Sequence, residues 1–429
     1  MRPLGTLAPV WRLETRRGLP VDLILYSVSA LFAGYTALFS TLTPHRVWGG
    51  IAVGGYLPAA MVTALLLARP AVALSSRVYV LAATYAATTF FPLVAEAISR
   101  AEGTPGRAQE EVLVVEQAGV RLFELGTPYL GRDAITAMSD PLLGYNPYQP
   151  GMALFGVPRA ILGDGSWLAD ARIWFALATL AAVLVALRLL HRDGAPVSAL
   201  IRAAQAVTVL PICALTLATG GDDLPVLALS LLALALAATK RWVWAAAVIG
   251  LAAALKLLAW PILAVLVVFA ILSGQWRRFV PLAVAIPVVA LIPAILADAS
   301  AVAENLIAFP TGHGLVASPA ASPFPGHLIA ENLPGGRPIA LALLVLAAVA
   351  MAIWMWRKPP RDAARVSLVI AVGLLAAILL MPATRFGYLL YPAAFAVWWL
   401  PLRAISGADQ VPSWDGDDLS QVPRPDASI

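Results

Sequence analysis

Long apolar runs separated by short polar breaks recur along the chain, most of them near the roughly 20 residues that a membrane-crossing helix needs. They predict helices over 21–42, 49–68, 78–98, 171–190, 196–218, 223–239, 279–297, 339–356, 366–382 and 386–402. The run from 242 to 274, WVWAAAVIGLAAALKLLAWPILAVLVVFAILSG, is too long for one untilted helix and carries Lys256 near its middle, followed by Pro261. Read as a single pass, it separates Lys240 and Arg241 from Arg277 and Arg278 and sends Arg357, Lys358, Arg361 and Arg365 outside. Read as a tight hairpin of two short or tilted helices, it returns all of these to the cytoplasm, as the positive-inside rule favours. The expected fold is therefore all-α and polytopic, with about twelve membrane segments, both termini inside, and two large extracytoplasmic loops over 99–170 and 298–338.

Composition agrees with this pattern. With 60% hydrophobic residues, 12% charged residues and a mean hydropathy of +0.83, the chain lies outside the range of soluble globular proteins. The formal net charge of +5 is spread over span ends rather than massed on one segment, which argues against a nucleic-acid partner. The single cysteine, Cys213, sits inside an apolar run and allows no intrachain disulfide or thiolate metal site. Arg2, Arg12, Arg16 and Arg17 precede the first span, and a second span follows it directly, so no cleavable signal peptide is expected. The expected domains are a cytoplasmic segment over 1–20, a transmembrane domain with its loops over 21–402, and a polar, disordered cytoplasmic tail over 403–429.

On this topology the polar features without a topological explanation fall on one side. The first is Glu111. In a helix over 110–125 it shares a face with Val115, Ala118, Leu122 and Leu125, while Glu116 and Glu124 turn toward the polar side. A carboxylate on an apolar face suits a general base, because desolvation raises its proton affinity. A carboxylate complementing the helix dipole accounts for the same position. Lys256, in mid-run, costs several kcal/mol on insertion scales, unless it snorkels from a helix end. Asp222 and Asp223 follow two glycines at a helix start, where they cap the helix or meet a divalent cation or a sugar hydroxyl. His313 and His327 lie in the second loop, either structural or orienting a substrate. The first loop also carries Tyr129, and its Tyr145, Tyr148 and Trp167 either stack on sugar or mark the membrane interface.

The run EVLVVEQAGVRLFELGTPY from Glu111 to Tyr129, followed by YNPYQPG from Tyr145, resembles the first external loop of polyprenol-phosphate-dependent membrane glycosyltransferases of the C superfamily (GT-C). The likeness is greatest to the mannosyltransferase-like family 87, whose pattern is roughly D-x-x-V-Y-x-x-A followed by G-x-x-x-Y. GGDDLPVLAL, GLAAALKLLAWP and MPATRFGYLLYP agree later, in the same order. The resemblance implies a GT-C-like fold in the plasma membrane and an extracytoplasmic active site. It further implies an inverting transfer of a sugar, mannose ahead of arabinose, from a polyprenyl-phosphate donor to a lipid-linked or cell-envelope glycan acceptor among membrane lipids. Glu111 falls on the acid that activates the acceptor hydroxyl, with Glu116 as second choice, and Lys256 and Arg385 would hold the donor phosphate. Asp222, Asp223, His313, His327, Tyr129 and Tyr148 are the candidate substrate contacts; no metal site is assigned, and a divalent cation stays open. Glu stands where the family has Asp, and three spans precede the loop where many relatives have one. Two other classes compete with the enzyme. A lipid-linked-sugar transporter would show charge at the midplane of several spans, and a non-catalytic envelope-assembly subunit would keep the fold alone.

Overall fold

In the computed structural model, residues 18–69 and 72–406 are described; the expected 403–429 tail and the start of the 1–20 segment lie largely outside them. The described chain is helical, with one isolated parallel bridge, Ala321 to Thr384, and no strand. Helices α1 (Leu19–Phe39) and α2 (Thr43–Leu67) pack along each other as a hairpin. Helix α3 (Leu74–Ala101) follows, with a π-helical turn at Ala86–Phe90, and leads into the first large loop. Trp48 Nε1 donates to the Thr88 carbonyl in that turn at 2.8 Å, satisfying a backbone acceptor that the wider turn displaces.

In the first loop, α4 (Glu110–Leu125) has the limits its periodicity predicted and closes on Gly126 in the left-handed conformation, with φ 74°. Beyond the loop come α5 (Ala171–Arg192), α6 (Val197–Thr208) and α7 (Pro211–Thr219). The last two form one path bent by 43°, because Pro211 supplies no N–H and holds Leu210 extended. Helices α8 (Asp223–Ala238), α9 (Trp242–Leu255) and α10 (Ala259–Leu272) complete the centre. Next is α11 (Trp276–Ala308), with three prolines and an extended residue, Asp298, near its end. The second loop holds α12 (Pro325–Asn332) and leads to α13 (Gly336–Arg357), α14 (Ala363–Leu380) and α15 (Phe386–Ile405).

The count of twelve membrane segments is not met by length. Among the described residues, eight helices are long and apolar enough to cross a membrane, and nine if α6 and α7 form one span. The other three, α8 to α10, have 16, 14 and 14 residues. At 1.5 Å per residue they reach only about 21–24 Å, short of a hydrocarbon core of about 30 Å. Of the three, α8 is buried along almost its whole length between α5 and α9, whereas α9 and α10 each keep an exposed apolar face. A helix apolar all round belongs in a core. The expected break at Lys256 is present: the residue is extended (φ −153°, ψ 141°) between α9 and α10. Helix continues through Ala308, broken at the extended Asp298 where the second loop was expected to begin.

Candidate active site

Helices α8 and α9 form a short hairpin, so the start of α8 lies beside the end of α9. That brings Lys256 to the aspartate pair: Nζ donates to Asp222 Oδ2 at 2.6 Å and to Asp223 Oδ1 at 2.7 Å. Gly221, at φ 94°, makes the turn that aims both acids inward. Neither aspartate caps α8 through its side chain. Tyr391 donates to Asp223 Oδ1 at 2.8 Å, and the rings of Tyr148 and Tyr388 lie 5.3 and 5.2 Å from Nζ. Lys256 is 9% exposed. Its charge is already balanced by two carboxylates. Among the described residues no three metal-ligating side chains converge.

The first loop is built onto this cluster through the YNPYQPG motif. Gln149 N–H donates to the Leu255 carbonyl at 3.1 Å, and a Cβ on Gly151 would come within 2.7 Å of the Ala254 carbonyl oxygen. Asn146 N–H donates to Asn305 Oδ1 at 2.7 Å, and Tyr129 donates its hydroxyl to the Tyr148 carbonyl at 2.8 Å. Tyr145 donates to Glu304 at 2.6 Å and stacks on Phe309 at 4.2 Å. Tyr129, Tyr145 and Tyr148 are buried posts of the loop, whereas Trp167 is partly exposed.

The N-terminus of α4 is fixed to the same end of the bundle. Gln109 backbone N–H donates to the Thr219 carbonyl at 2.9 Å, and its side-chain Nε2 lies 2.6 Å from His45 Nε2. Two residues on, Glu111 forms an ion pair with Arg385. The side chains of Glu111 and Arg385 are 14% and 28% exposed, so the pair is partly exposed. Arg385 sits before the turn Phe386–Leu389 that carries Tyr388, and Tyr388 leads back to Lys256. Glu111, Arg385, Lys256, Asp222 and Asp223 thus form one connected set at the loop end of the bundle.

The second loop holds Arg385 from behind. Thr384 N–H donates to the Ala320 carbonyl and Ser322 N–H to the Thr384 carbonyl, both at 2.9 Å. Phe386 N–H donates to Ser322 Oγ at 2.9 Å. His327 Nδ1 lies 2.9 Å from the Pro382 carbonyl, supporting that segment rather than facing Glu111. His313 is exposed beside Thr311, 3.0 Å away, and does not join the cluster.

Glu116 corrects the expectation of a polar face. It is 3% exposed, and its carboxylate accepts from Arg100 at 2.6 and 2.7 Å, Arg159 at 3.0 Å and Ala171 N–H at 3.1 Å. So fully engaged an acid pins the loop to α3 and α5. Periodicity marked one apolar stripe, but α4 is buried on two faces, and the second is neutralised by arginines from distant segments. The same network contains Asp170, Arg172 and Glu96, none of which stood out in the sequence. Arg172 is fully buried and donates to Asp170 and to the carbonyls of Arg107 and Ala218. Glu96 is buried in α3 with Arg107 at 3.8 Å and no hydrogen-bond partner for either oxygen. An acid at the end of an apolar run was the available signal for it. Gln109 and His45 gave none.

Comparison with known proteins adds identity to this arrangement. No curated protein matches the chain. Among solved structures, ArnT from Cupriavidus metallidurans, bound to undecaprenyl phosphate, is similar with a TM-score of 0.49 and 18% identity. The match covers 77% of this chain and 60% of ArnT, so the chain spans about three fifths of that protein's length. The family model of glycosyltransferase family 87 matches residues 146–382, from the Asn146 that docks the first loop to the Pro382 that precedes Arg385. With more than half of its length matched, the chain belongs to glycosyltransferase family 87.

Proposed function

We propose that the protein transfers a sugar, with inversion, from a polyprenyl-phosphate donor to a lipid-linked or cell-envelope glycan acceptor on the extracytoplasmic face of the plasma membrane. Mannose is preferred to arabinose as the sugar. The observation that carries this reading is the partly exposed Glu111–Arg385 pair, an acid and a guanidinium in contact at the loop end of the bundle.

The chemistry follows from what each group offers. Glu111 takes the proton of the acceptor hydroxyl while that oxygen attacks the anomeric carbon. The bond from the anomeric carbon to the phosphate oxygen breaks, and its electron pair stays on the polyprenyl phosphate. Arg385 offers a planar fork of N–H donors to the charge that develops there. In-line displacement puts base and leaving group on opposite sides of the anomeric carbon, so the ion pair must part when the donor enters. The donor phosphate then replaces Glu111 as the partner of Arg385 and leaves the carboxylate free to accept a proton. Lys256, Asp222 and Asp223 serve as a positioning cluster: they fix Tyr388, which follows Arg385, and hold Tyr148 beside it. Asp222 and the two tyrosines offer acceptors and donors to sugar hydroxyls. A donor whose lipid lies in the bilayer presents its headgroup where helix ends meet the loops, which is where this pair stands.

The test supplies proteoliposomes with labelled polyprenyl-phosphate mannose or arabinose and a membrane extract as acceptor. The expected product carries a new glycosidic bond with inverted anomeric configuration, and mannose transfers faster. Movement of the lipid-linked sugar across the bilayer without bond formation would overturn the reading in favour of a transporter. Neither activity would overturn it in favour of an assembly subunit.

A further inference from the structure

The face of α4 opposite Glu111 borders a cleft of about 550 Å³ whose walls include Arg100, Glu116, Gln117, Arg121, Arg159 and Asp164. Asp164 has a 97% exposed side chain, so the cleft opens to water within the first loop. Its charges do not cancel. Arg100 and Arg159 are matched by Glu116 and Asp164, and Asp170, which also accepts from Arg100, is matched by Arg172. Arg121 is left over: it is 9% exposed and has no carboxylate within ion-pair distance among the described residues. Its guanidinium donates to Gln117 Oε1 at 3.1 Å and to the carbonyls of Leu143 and Gly144 at 3.1 and 3.2 Å. These use three of its five N–H donors. Burial pulls the group down to about 10, still cationic at neutral pH, and no acid offsets the cost of burying it.

A buried cation without a counter-charge on the wall of an open cleft is poised for an anion from outside. We propose that this cleft binds the anionic group of a glycan chain, a carboxylate or a phosphodiester, at a subsite separate from the Glu111–Arg385 pair. The wall carries three arginines against two carboxylates, and this single excess charge selects a monoanion. The glycan nature of the ligand rests on the proposed transferase reading; the anion site does not. On that reading the cleft holds an acidic stretch of the acceptor away from the reacting hydroxyl.

The test measures binding of methyl β-D-glucuronoside, dimethyl phosphate and neutral methyl β-D-glucoside to the full-length protein in nanodiscs, with no donor present. The glucuronoside or the phosphate should bind at least tenfold more tightly than the glucoside, and the tighter of the two names the anion. Gln117→Glu is isosteric, keeps the bond to Arg121 and gives it a built-in carboxylate. It should weaken anion binding at least tenfold while the melting temperature holds or rises. Equal binding of all three probes, or anion binding unchanged in Gln117→Glu, would overturn the proposal. A purely structural Arg121 predicts that unchanged result. Because no transfer is read, failure of the transferase reading leaves the outcome standing.

Discussion

Lys256 shows how much a single residue discloses before its partners are known. A lysine inside an apolar run is costly enough to demand an explanation, and that much is legible in the sequence. The explanation was legible too, in a feature easily passed over: two short helices joined by a tight turn put the start of one beside the end of the other. Asp222 and Asp223 therefore meet Lys256 across the α8–α9 hairpin, at 2.6 and 2.7 Å. Removing one member of a buried charge cluster typically costs about 3–5 kcal/mol, because the remaining charges lose their partner. Lys256→Met, which leaves two aspartates facing each other, should lower the melting temperature of the purified protein clearly. Adding Asp222→Asn and Asp223→Asn should recover part of that loss. Equal melting of Lys256→Met and the parent would show that the cluster does not hold the centre together. Arg385 makes a different prediction, since it is partly exposed and its backbone is held by the second loop. Arg385→Lys keeps the charge but not the fork, and should raise the KM for donor while transfer persists. Arg385→Gln should lower kcat/KM by at least tenfold with melting unchanged.

At the scale of elements, α4 was the most readable and the most misleading part of the chain. Its limits, 110 to 125, follow from periodicity and the glycine after it, and the structure has the same ones. Its surroundings do not follow, because burial of the second face depends on Arg100 and Arg159, 16 residues before and 43 residues after Glu116. No local pattern links those positions. Close packing was hidden for a similar reason. Gly119 meets the backbone of Gly156 and Val157 so closely that any Cβ would overlap it. Gly119→Ala should destabilise the loop by about 1–3 kcal/mol through overpacking, despite the gain in helix propensity. Faster proteolysis within 102–170, with the membrane helices intact, would register it. Cleavage at the parent rate would mean that α4 does not seat against the Pro150–Leu162 segment.

Across the whole molecule, the apolar pattern read correctly as an all-α membrane protein, and every apolar run became helix. Length supports eight or nine crossings among the described residues rather than twelve, and hydropathy alone did not show which helices would be covered by protein. Helix α8 is the clearest case, apolar on all sides and covered by its neighbours. The N-terminal helices are joined to the rest by polar contacts that hydropathy also conceals. Asp22 of α1 accepts from Arg77 of α3 at 2.6 Å and from Gln205 of α6 at 2.8 Å, and pairs with Arg202. Tyr56 of α2 donates to the Val209 carbonyl at 2.7 Å. Asp22→Ala removes a carboxylate shared by two buried guanidiniums and should lower stability by several kcal/mol. It should leave the KM for donor near the parent value in the fraction that folds, because this cluster lies at the other end of the bundle from Glu111. The central claim, that Glu111 accepts the proton of the acceptor hydroxyl, is tested most directly by single-turnover sugar transfer in proteoliposomes of Glu111→Gln. With melting temperature and donor binding preserved, the account predicts a rate reduced by about 10²-fold or more, the usual contribution of a general base; transfer within a few fold of the parent would contradict it.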